Sequence, residues 1–217
     1  MEELHFIVYS DYLCPWCYNA SVRLRRLERE VAGDVVFEWR SFLLRPNPRA
    51  RAKASAPRDL AAFREYTRSW ARPAAEPDSG EFQVWQTDAG PPSHSVPPHL
   101  VAKAAARLGS NAFERIHERL LYAYFRENRD ISRRQTLSEL WSEAGLPSEA
   151  FESSADPSLL DETLDQHHAA QDLGVTGVPS VLLAGNDAVI MGAQPIALYR
   201  RWIERSLAAR NRSGIQA

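Results

Sequence analysis

The feature that most constrains this chain is a pair of cysteines three positions apart, Cys14 and Cys17, which are the only two in its 217 residues. An apolar run that favours a β-strand, residues 4–9, comes just before them. The apolar spacing of a helix begins just after them, at Val22, Leu24, Leu27 and Val31. A Cys-x-x-Cys pair at the point where a strand passes into a helix predicts a redox-active dithiol.

The strand-to-helix turn also indicates how such a pair reacts. Pro15 suits the first helical position, because its φ angle is fixed near the helical value and its missing N–H would have no partner there. The free N–H groups of the first turn and the helix dipole then stabilise a thiolate on Cys14. Since only a thiolate attacks a disulfide, Cys14 is predicted to be the nucleophile. Cys17, one turn further on, is predicted to be the resolving thiol.

Strand patterns occur at both ends of the chain, with helical patterns between them. Residues 35–42 favour a second strand, which completes a βαβ unit with the first strand and its helix. Residues 180–184 and 188–191 favour a hairpin, followed by a closing helix over 195–209. Because neither end can form a stable sheet alone, the strands are expected to share one sheet. The chain is therefore predicted to be α/β, with a thioredoxin-like fold (βαβ…ββα) that carries an all-helical insertion.

The same patterns divide the chain into three parts. Residues 1–56 and 174–217 are expected to form the thioredoxin-like domain, and residues 57–173 the helical insertion with its proline-rich loop. Helices are expected in the insertion at 60–70, 100–108, 112–126, 132–144 and 156–173. Two of them have cap signals: Ser132 and Gln135 are spaced as a capping box, and Asp156-Pro157 reads as a cap followed by the first helical position.

Two stretches have no regular pattern. Residues 45–58 are basic and proline-bearing, which is typical of a solvated connection or of a rim that attracts anionic substrate groups. Residues 73–98 are rich in proline, and a loop of this length inside one domain is often a lid or a binding loop. Its large apolar residues either anchor it to the core or line a pocket: Phe82, Val84 and Trp85.

A second informative stretch is Gly-Val-Thr-Gly-Val-Pro-Ser, residues 174–180. Pro179 opens the returning strand, which is one of the few places in a sheet where proline is tolerated. If the Val178–Pro179 bond is cis, the backbone of Val178 is left free to pair with an extended substrate segment. An ordinary trans-proline at a strand start fits the same residues.

With these two stretches in view, the sequence resembles the DsbA-like thioredoxin-fold family, in its cytosolic FrnE-type branch, over nearly its whole length. The resemblance rests on residues 10–18 (Ser-Asp-Tyr-Leu-Cys-Pro-Trp-Cys-Tyr), 174–180, 192–195 (Gly-Ala-Gln-Pro), 122–125 and 130–131. It implies thiol–disulfide exchange by Cys14 and Cys17, with Pro179 cis. Ser180 departs from the family pattern, in which threonine is commoner. Substrates of the family are poorly defined, so the resemblance implies a reaction and not a target.

Three alternatives compete with this interpretation. A closed zinc site needs about four ligands, whereas the six histidines are scattered and there is no second cysteine pair, so no metal is predicted. Glutathione-dependent isomerases and transferases share the scaffold but usually carry serine in place of Cys14 and lack Cys17. Arg45, Arg49 and the long loop can still hold glutathione as a co-substrate. The third alternative is a non-catalytic binding or chaperone-like module that keeps the pair as a relic.

The residues around the pair also have two readings. A buried Asp11 with a raised pKa can accept a proton from Cys17, but the same position suits a turn residue that accepts hydrogen bonds from backbone N–H groups. Trp16 lies between the cysteines and is predicted to contact substrate, together with Pro15 and Val178.

Charge and hydropathy limit the partners. A net charge of −2 gives no general attraction to nucleic acid or to anionic membranes. The acidic start and the short first apolar run do not fit a signal peptide, and no stretch approaches the roughly 20 apolar residues of a membrane span. The chain is therefore expected in the cytoplasm, with protein or small-molecule disulfides and thiols as partners and no cofactor beyond its own redox-active disulfide. Oligomeric state and net direction of exchange are left open.

Overall fold

A computed structural model describes residues 3–31, 33–48, 57–186 and 188–213 of the chain. At the beginning of the chain, strand β1 (Leu4–Ser10) is followed by helix α1 (Pro15–Glu30) and strand β2 (Val35–Ser41). The two strands pair in parallel along their whole length. The predicted βαβ unit is therefore confirmed, with α1 as its crossover.

The end of the chain returns to the same sheet. Strands β3 (Ser180–Leu183) and β4 (Val189–Met191) form an antiparallel hairpin, and helix α8 (Ile196–Ser213) closes the chain. β3 pairs antiparallel with β1, so the sheet order is β2-β1-β3-β4. The predicted thioredoxin-like fold, with both ends of the sequence in one sheet, is confirmed.

Between β2 and β3 the chain is helical. The α-helices there are α2 (Pro57–Thr67), α3 (Ala71–Ala74), α4 (Val96–Ala106), α5 (Ser110–Phe125), α6 (Arg134–Glu143) and α7 (Pro157–Asp172). Two 3₁₀ segments join them, Arg68–Trp70 and Ser148–Ala155, and the second was not predicted. The predicted helical insertion is confirmed, while residues 49–56 of the basic stretch and Asp187 of the hairpin turn lie outside the described residues.

Several helix starts differ from the prediction by one to four residues, and two of these differences change how particular residues are interpreted. Helix α4 begins at Val96, so Pro97 and Pro98 lie in its first turn and not in a loop, because the N–H groups of a first turn have no helical partner for proline to remove. The predicted capping box at Ser132 is wrong. α6 begins one residue later than such a cap requires, with Arg133 as N-cap, and the Ser132 hydroxyl donates instead to Asp130. The cap at Asp156 is confirmed, since its carboxylate accepts from the Ser158 N–H.

The proline-rich stretch is fixed to the insertion from both its backbone and its side chains. Trp85 is 1% exposed and donates its indole N–H to the carbonyl of Ala89. The Gln83 N–H donates to the carbonyl of Phe125, at the end of α5. Phe82 packs against the core of the insertion, whereas Val84 is exposed. The stretch is thus anchored by Phe82 and Trp85.

Apolar side chains form separate clusters in the sheet and in the insertion. The sheet core contains Phe6 and Phe37 from the strands, Leu24 and Leu27 from α1, and Ile203 from α8. The insertion core is built mainly from α4 to α7, but it also takes in three residues from around the cysteines: Tyr12, Leu13 and Tyr18. Among the described helices, none is long and apolar enough to span a membrane.

Candidate active site

Cys14 lies at the junction that the sequence predicts. Its backbone is extended (φ −95°, ψ 114°) and it is the N-cap of α1, with Pro15 in the first turn. The Cys14 N–H donates to the carbonyl of Asp11, and the Cys14 carbonyl accepts from the N–H groups of Cys17 and Tyr18. Cys14 is therefore held by hydrogen bonds on both sides of the turn, with the positive end of the helix dipole at its sulfur.

Sheet pairing brings the second predicted stretch to the same place. Tyr9, near the end of β1, pairs with Ser180, at the start of β3. Because the strands are antiparallel, the turn after β1 and the segment before β3 meet at one edge of the sheet. The Val178–Pro179 bond in that segment is cis, and the Cys14 thiol donates to the Val178 carbonyl at 3.4 Å, across 164 residues of sequence.

The two cysteines differ in their surroundings. Both are thiols; Cys14 is 5% exposed, whereas Cys17 is completely buried. Burial and the neighbouring Cys14 sulfur raise the pKa of the Cys17 thiol well above its ordinary value, and hydrogen bonds from the Ser10 side chain and the Asp11 backbone oppose this only in part. Cys14 is thus the only sulfur of the pair that a substrate can approach in this conformation.

Asp11 is fully buried beneath the turn, and its carboxylate is occupied by backbone donors. One oxygen accepts from the Leu13 N–H and the other from the Leu44 N–H, both at 2.6 Å. Burial raises its pKa to about 6, against the opposing effects of Ser95, these two N–H groups and the Arg45 guanidinium. The turn role weighed from the sequence is observed, because Asp11 joins the cysteine turn to the segment that follows β2.

The carboxylate of Asp11 makes no hydrogen bond to Cys17 among the contacts of the described residues. The backbone of Asp11, and not its side chain, is hydrogen-bonded to the Cys17 thiol. Its assignment as proton acceptor therefore stays a prediction.

The other predicted site residues lie around the sulfur of Cys14. Pro15 and Trp16 are half-buried, as is Val178, while Pro179 is buried behind it. Within the described residues, the Val178 N–H donates to no backbone carbonyl. Cys14 thus has a free backbone donor in the segment that its thiol contacts and a half-buried aromatic residue two positions along the chain.

A cleft of about 460 Å³ opens beside the cysteine turn, between it, the segment after β2 and helices α2 and α5. Most of its wall is apolar, and Leu44 and Tyr66 are each 51% exposed. Arg45 and Asp59 supply opposite charges. The remaining lining residues are Leu13, Ala62, Phe63 and Tyr124. The size and apolar character are typical of a site for a small molecule or a side chain.

No group of three or more histidine, cysteine, aspartate or glutamate side chains is arranged to hold a metal ion in the part of the chain that the structure describes. His117, a buried histidine that contacts the turn, makes hydrogen bonds with the Tyr12 hydroxyl and the Ser21 hydroxyl, each at 2.9 Å. Burial lowers the pKa of His117 to about 3. The imidazole is thus neutral and held in a hydrogen-bonded chain.

Two buried residues near the site were missed from the sequence, Arg23 and Tyr199. Arg23 had a detectable signal: it lies on the apolar face of α1, three residues after Ala20 and four before Leu27, where a charged side chain needs buried partners. Tyr199 had none, because its environment depends on how α8 folds back onto the sheet. Its pKa is raised by burial, and both Arg23 and Cys17 lie close enough to affect it.

The chain is similar to known proteins. A family model described as DSBA-like thioredoxin domain matches residues 6–204. Over 209 residues the chain is 27% identical to the uncharacterized protein YwbO of Bacillus subtilis (strain 168), with 88% of this chain and 90% of that protein covered.

Solved structures are similar over almost the full length. One is described as a probable DsbA oxidoreductase from Streptomyces coelicolor, with a TM-score of 0.71, 23% identity, and 95% and 91% of the two chains covered. Another is the cytosolic disulfide reductase DsbM from Pseudomonas aeruginosa, with a TM-score of 0.70, 22% identity, and 99% and 100% covered. A further structure of DsbM contains GSH. At these identities the likeness shows the fold.

Proposed function

The chain belongs to the DSBA-like thioredoxin domain family, and from that premise we propose that it is a dithiol–disulfide oxidoreductase that exchanges disulfides with protein or small-molecule thiols. The observation that carries the proposal is the hydrogen bond from the Cys14 thiol to the Val178 carbonyl. It joins a nucleophile at a helix N-terminus to a backbone segment that can pair with a substrate.

The first step is attack by Cys14. Its thiolate forms a bond to one sulfur of a substrate disulfide, that S–S bond breaks, and the other substrate sulfur leaves as a thiolate. The product is a mixed disulfide between Cys14 and the substrate. Cys14 takes this role because it lies at the N-terminus of α1 and because it is slightly exposed, whereas Cys17 is fully buried.

The second step uses Cys17. Its thiol loses a proton and attacks the Cys14 sulfur, so that the mixed disulfide breaks, the substrate leaves as a thiol, and a Cys14–Cys17 disulfide forms. The substrate has gained two electrons and two protons, and the pair has lost them. A pKa raised by burial keeps Cys17 protonated until the mixed disulfide forms.

Asp11 is our candidate for the acceptor of the Cys17 proton. A pKa of about 6 suits a group that exchanges protons near neutral pH. Since the carboxylate bonds to Leu13 and Leu44, transfer from Cys17 would run through an intervening group.

Substrate contacts follow from the geometry around Cys14. An extended segment that contains the reacting cysteine can accept a backbone hydrogen bond from Val178, as an added strand does. Pro15 and Trp16 flank the reacting sulfur, and Pro179 holds Val178 in position. A side chain next to the substrate cysteine can enter the cleft at Leu44. Glutathione is a small-thiol candidate, supported by the DsbM structure that contains GSH.

Three finer assignments belong to the same proposal. The first is the FrnE-type branch, on the motifs at residues 10–18 and 174–180. The second is a cytoplasmic location, supported by the similarity to cytosolic DsbM. The third is the division into a thioredoxin-like domain (1–56 and 174–217) and an insertion (57–173), supported by the separate apolar clusters of the sheet and the insertion.

The runner-up is a glutathione-dependent isomerase or transferase, which needs one thiol. Replacement of Cys17 by serine separates the two functions. Loss of multiple-turnover exchange, with formation of a mixed disulfide at Cys14, supports the oxidoreductase, whereas full retention of a glutathione-dependent reaction supports the one-thiol enzyme.

The reduction potential of the Cys14–Cys17 pair tests the proposal. The protein is equilibrated with defined mixtures of reduced and oxidised glutathione and quenched with an alkylating agent. The fraction with free thiols is then measured by mass spectrometry. We expect a reversible two-electron transition, in which a tenfold change in the equilibrium constant corresponds to about 30 mV. A pair that stays fully reduced in every mixture would argue against exchange and in favour of the non-catalytic module.

A further inference from the structure

Arg23 lies in the third turn of α1 with its side chain 1% exposed. One guanidinium nitrogen, Nη1, donates to the carbonyls of Ala193 and Gln194, both at 2.9 Å. The other, Nη2, donates to the carbonyl of Pro77 at 2.8 Å and to the Glu76 carboxylate at 3.4 Å. A buried cation is tolerated only with such partners, and three of the four are backbone groups of loops far away in sequence.

The loop that contains Ala193 and Gln194 makes a hydrogen bond to the segment that faces Cys14. Its residue Gly192 donates its N–H to the carbonyl of Pro179 at 2.8 Å. The Tyr199 hydroxyl donates to the carbonyl of Gly192 at 2.9 Å and accepts from the N–H of Gln194 at 3.2 Å. Arg23 and Tyr199 therefore hold the loop after β4, and this loop in turn holds Pro179 through the N–H of Gly192.

Helix α1 thus reaches the Val178–Pro179 segment by two routes. At its N-cap the route is direct, from the Cys14 thiol to the Val178 carbonyl. In its third turn the route runs through Arg23, the loop that begins at Gly192, and Pro179. Two attachments from one rigid helix fix both the distance and the orientation of a segment, which a single attachment cannot do.

We propose that Arg23 is a positioning residue for disulfide exchange, which holds Val178 and Pro179 in register with Cys14 so that an extended substrate can pair and react at once. This role rests on the function proposed above. Arginine suits it because the planar guanidinium directs several donors in a fixed fork, whereas an ammonium group is a compact point charge. The hydrogen bond to Pro77 adds the insertion to the same connection.

The test compares two substrates with the same leaving group. One is bis(2-hydroxyethyl) disulfide, which needs only Cys14, and the other is an extended peptide whose single cysteine carries 2-mercaptoethanol in a mixed disulfide. Single-turnover rates of the reduced protein are measured by acid quench and mass spectrometry. In Arg23→Gln we expect the peptide rate constant to fall about tenfold, since small misplacements are costly in rate, while that for the small disulfide changes less than about twofold.

The control and the second variant address stability. Arg26→Gln removes an exposed arginine from the same helix. This arginine pairs with Glu30 of the helix and Asp78 of the insertion, and in the described part of the chain no hydrogen bond or ion pair joins it to the loop after β4. Both rates should be unchanged in this variant. Tyr199→Phe keeps a buried ring and loses only the hydroxyl, so it should show the same selective loss if Arg23→Gln does not fold. Arg23→Lys should recover part of the peptide rate.

Each outcome has one meaning. A selective loss for the peptide in Arg23→Gln, or in Tyr199→Phe where Arg23→Gln does not fold, supports the role of Arg23. Equal losses for both substrates, or no loss for the peptide in a folded Arg23→Gln protein, would overturn it while leaving the exchange activity intact. A wild-type protein that reacts with neither substrate would overturn the proposed function itself, and this inference with it.

Discussion

The two segments that meet at the site are anchored in different parts of the molecule. Tyr12, Leu13 and Tyr18, around the cysteines, pack into the core of the helical insertion. Val178, opposite them, packs against a cluster that contains Tyr9 and other sheet residues together with one alanine of α7. The proposed nucleophile is therefore held mainly by the insertion, and the proposed substrate-pairing segment mainly by the sheet.

Helix α1 shows the same division along its own length. Tyr18 stacks on Phe125 of α5, with ring centroids 5.5 Å apart, whereas Leu24 and Leu27 lie in the sheet core. The insertion therefore contributes directly to the position of the cysteine turn. For the same reason, contacts that join the two parts, such as those of Cys14 and Arg23, align the Val178–Pro179 segment with Cys14 in our proposal.

The different anchoring of the two segments affects function only if disulfide exchange occurs at Cys14, where the insertion and the sheet meet. Replacement Cys14→Ser should therefore lower multiple-turnover exchange at least about a thousandfold, because a serine oxygen cannot form the mixed disulfide through which exchange proceeds. The rate of peptide disulfide reduction measures this. Unchanged turnover in a folded Cys14→Ser protein would move the chemistry elsewhere.

Matched truncations in the two cores test whether the insertion affects exchange more than the sheet does. Phe125→Ala in the insertion should lower the free energy of unfolding by about 3–5 kcal/mol, and Ile203→Ala in the sheet core by about 2–5 kcal/mol. Under conditions where both remain folded, only Phe125→Ala should also slow exchange, because Tyr18 loses its stacking partner next to Cys17.

Urea unfolding and exchange rates check both variants. Equal slowing in the two proteins, at equal loss of stability, would remove the distinction between insertion and sheet. In that case the site would respond to global stability alone.

Asp11 ties the two parts together through Leu13 and Leu44, and its ionisation gives a pH test. Its folded-state pKa is about 6, above the ordinary value of 3.8, so the folded protein holds this proton more tightly than the unfolded chain. The Asp11 contribution should therefore lower stability as pH rises from about 4 to about 6, by about 3 kcal/mol in total.

The variant Asp11→Asn should lose this part of the pH dependence of unfolding. Urea midpoints at several pH values in this range measure it in both proteins. An identical pH dependence with and without the carboxyl group would show that Asp11 does not titrate as its burial requires.

The smallest effect is expected at the cleft. Leu44→Ser should raise KM about fivefold for a peptide with a large apolar residue beside its cysteine, because partial burial of a leucine side chain contributes about 1 kcal/mol. A peptide with glycine there should be unaffected. Leu173→Ser, another exposed leucine, is the matched control, and an equal KM for both peptides in wild type would exclude the cleft as a side-chain site.

The sequence predicts those features that local chemistry determines. Cys14 and Pro15 at the start of a helix, and the cap at Asp156, depend on a few neighbouring residues, so their patterns are reliable guides. Ser132 has the same local pattern as a cap but bonds to Asp130. A competing acceptor two residues away is invisible to a spacing rule.

Other features depend on distant partners. Asp11 has two possible roles in the sequence because Leu44, its second backbone donor, lies 33 residues away. Arg23 is recognisable as a charge on an apolar face, but its bonds to Ala193 and Gln194 span 170 and 171 residues. Tyr199 depends on the packing of α8. Such contacts are known only once the sheet order is known.

The most direct test of the central claim is to locate the mixed disulfide. The reduced Cys17→Ser protein is incubated with the peptide carrying 2-mercaptoethanol, quenched with acid and digested, and the modified cysteine is identified by mass spectrometry. We expect a stable adduct of one equivalent on Cys14, because the variant has no second protein thiol to resolve it and acid protonates the thiol that the exchange releases. Absence of any adduct on Cys14, under conditions where the folded wild-type protein reduces the peptide, would contradict the assignment of Cys14 as the nucleophile.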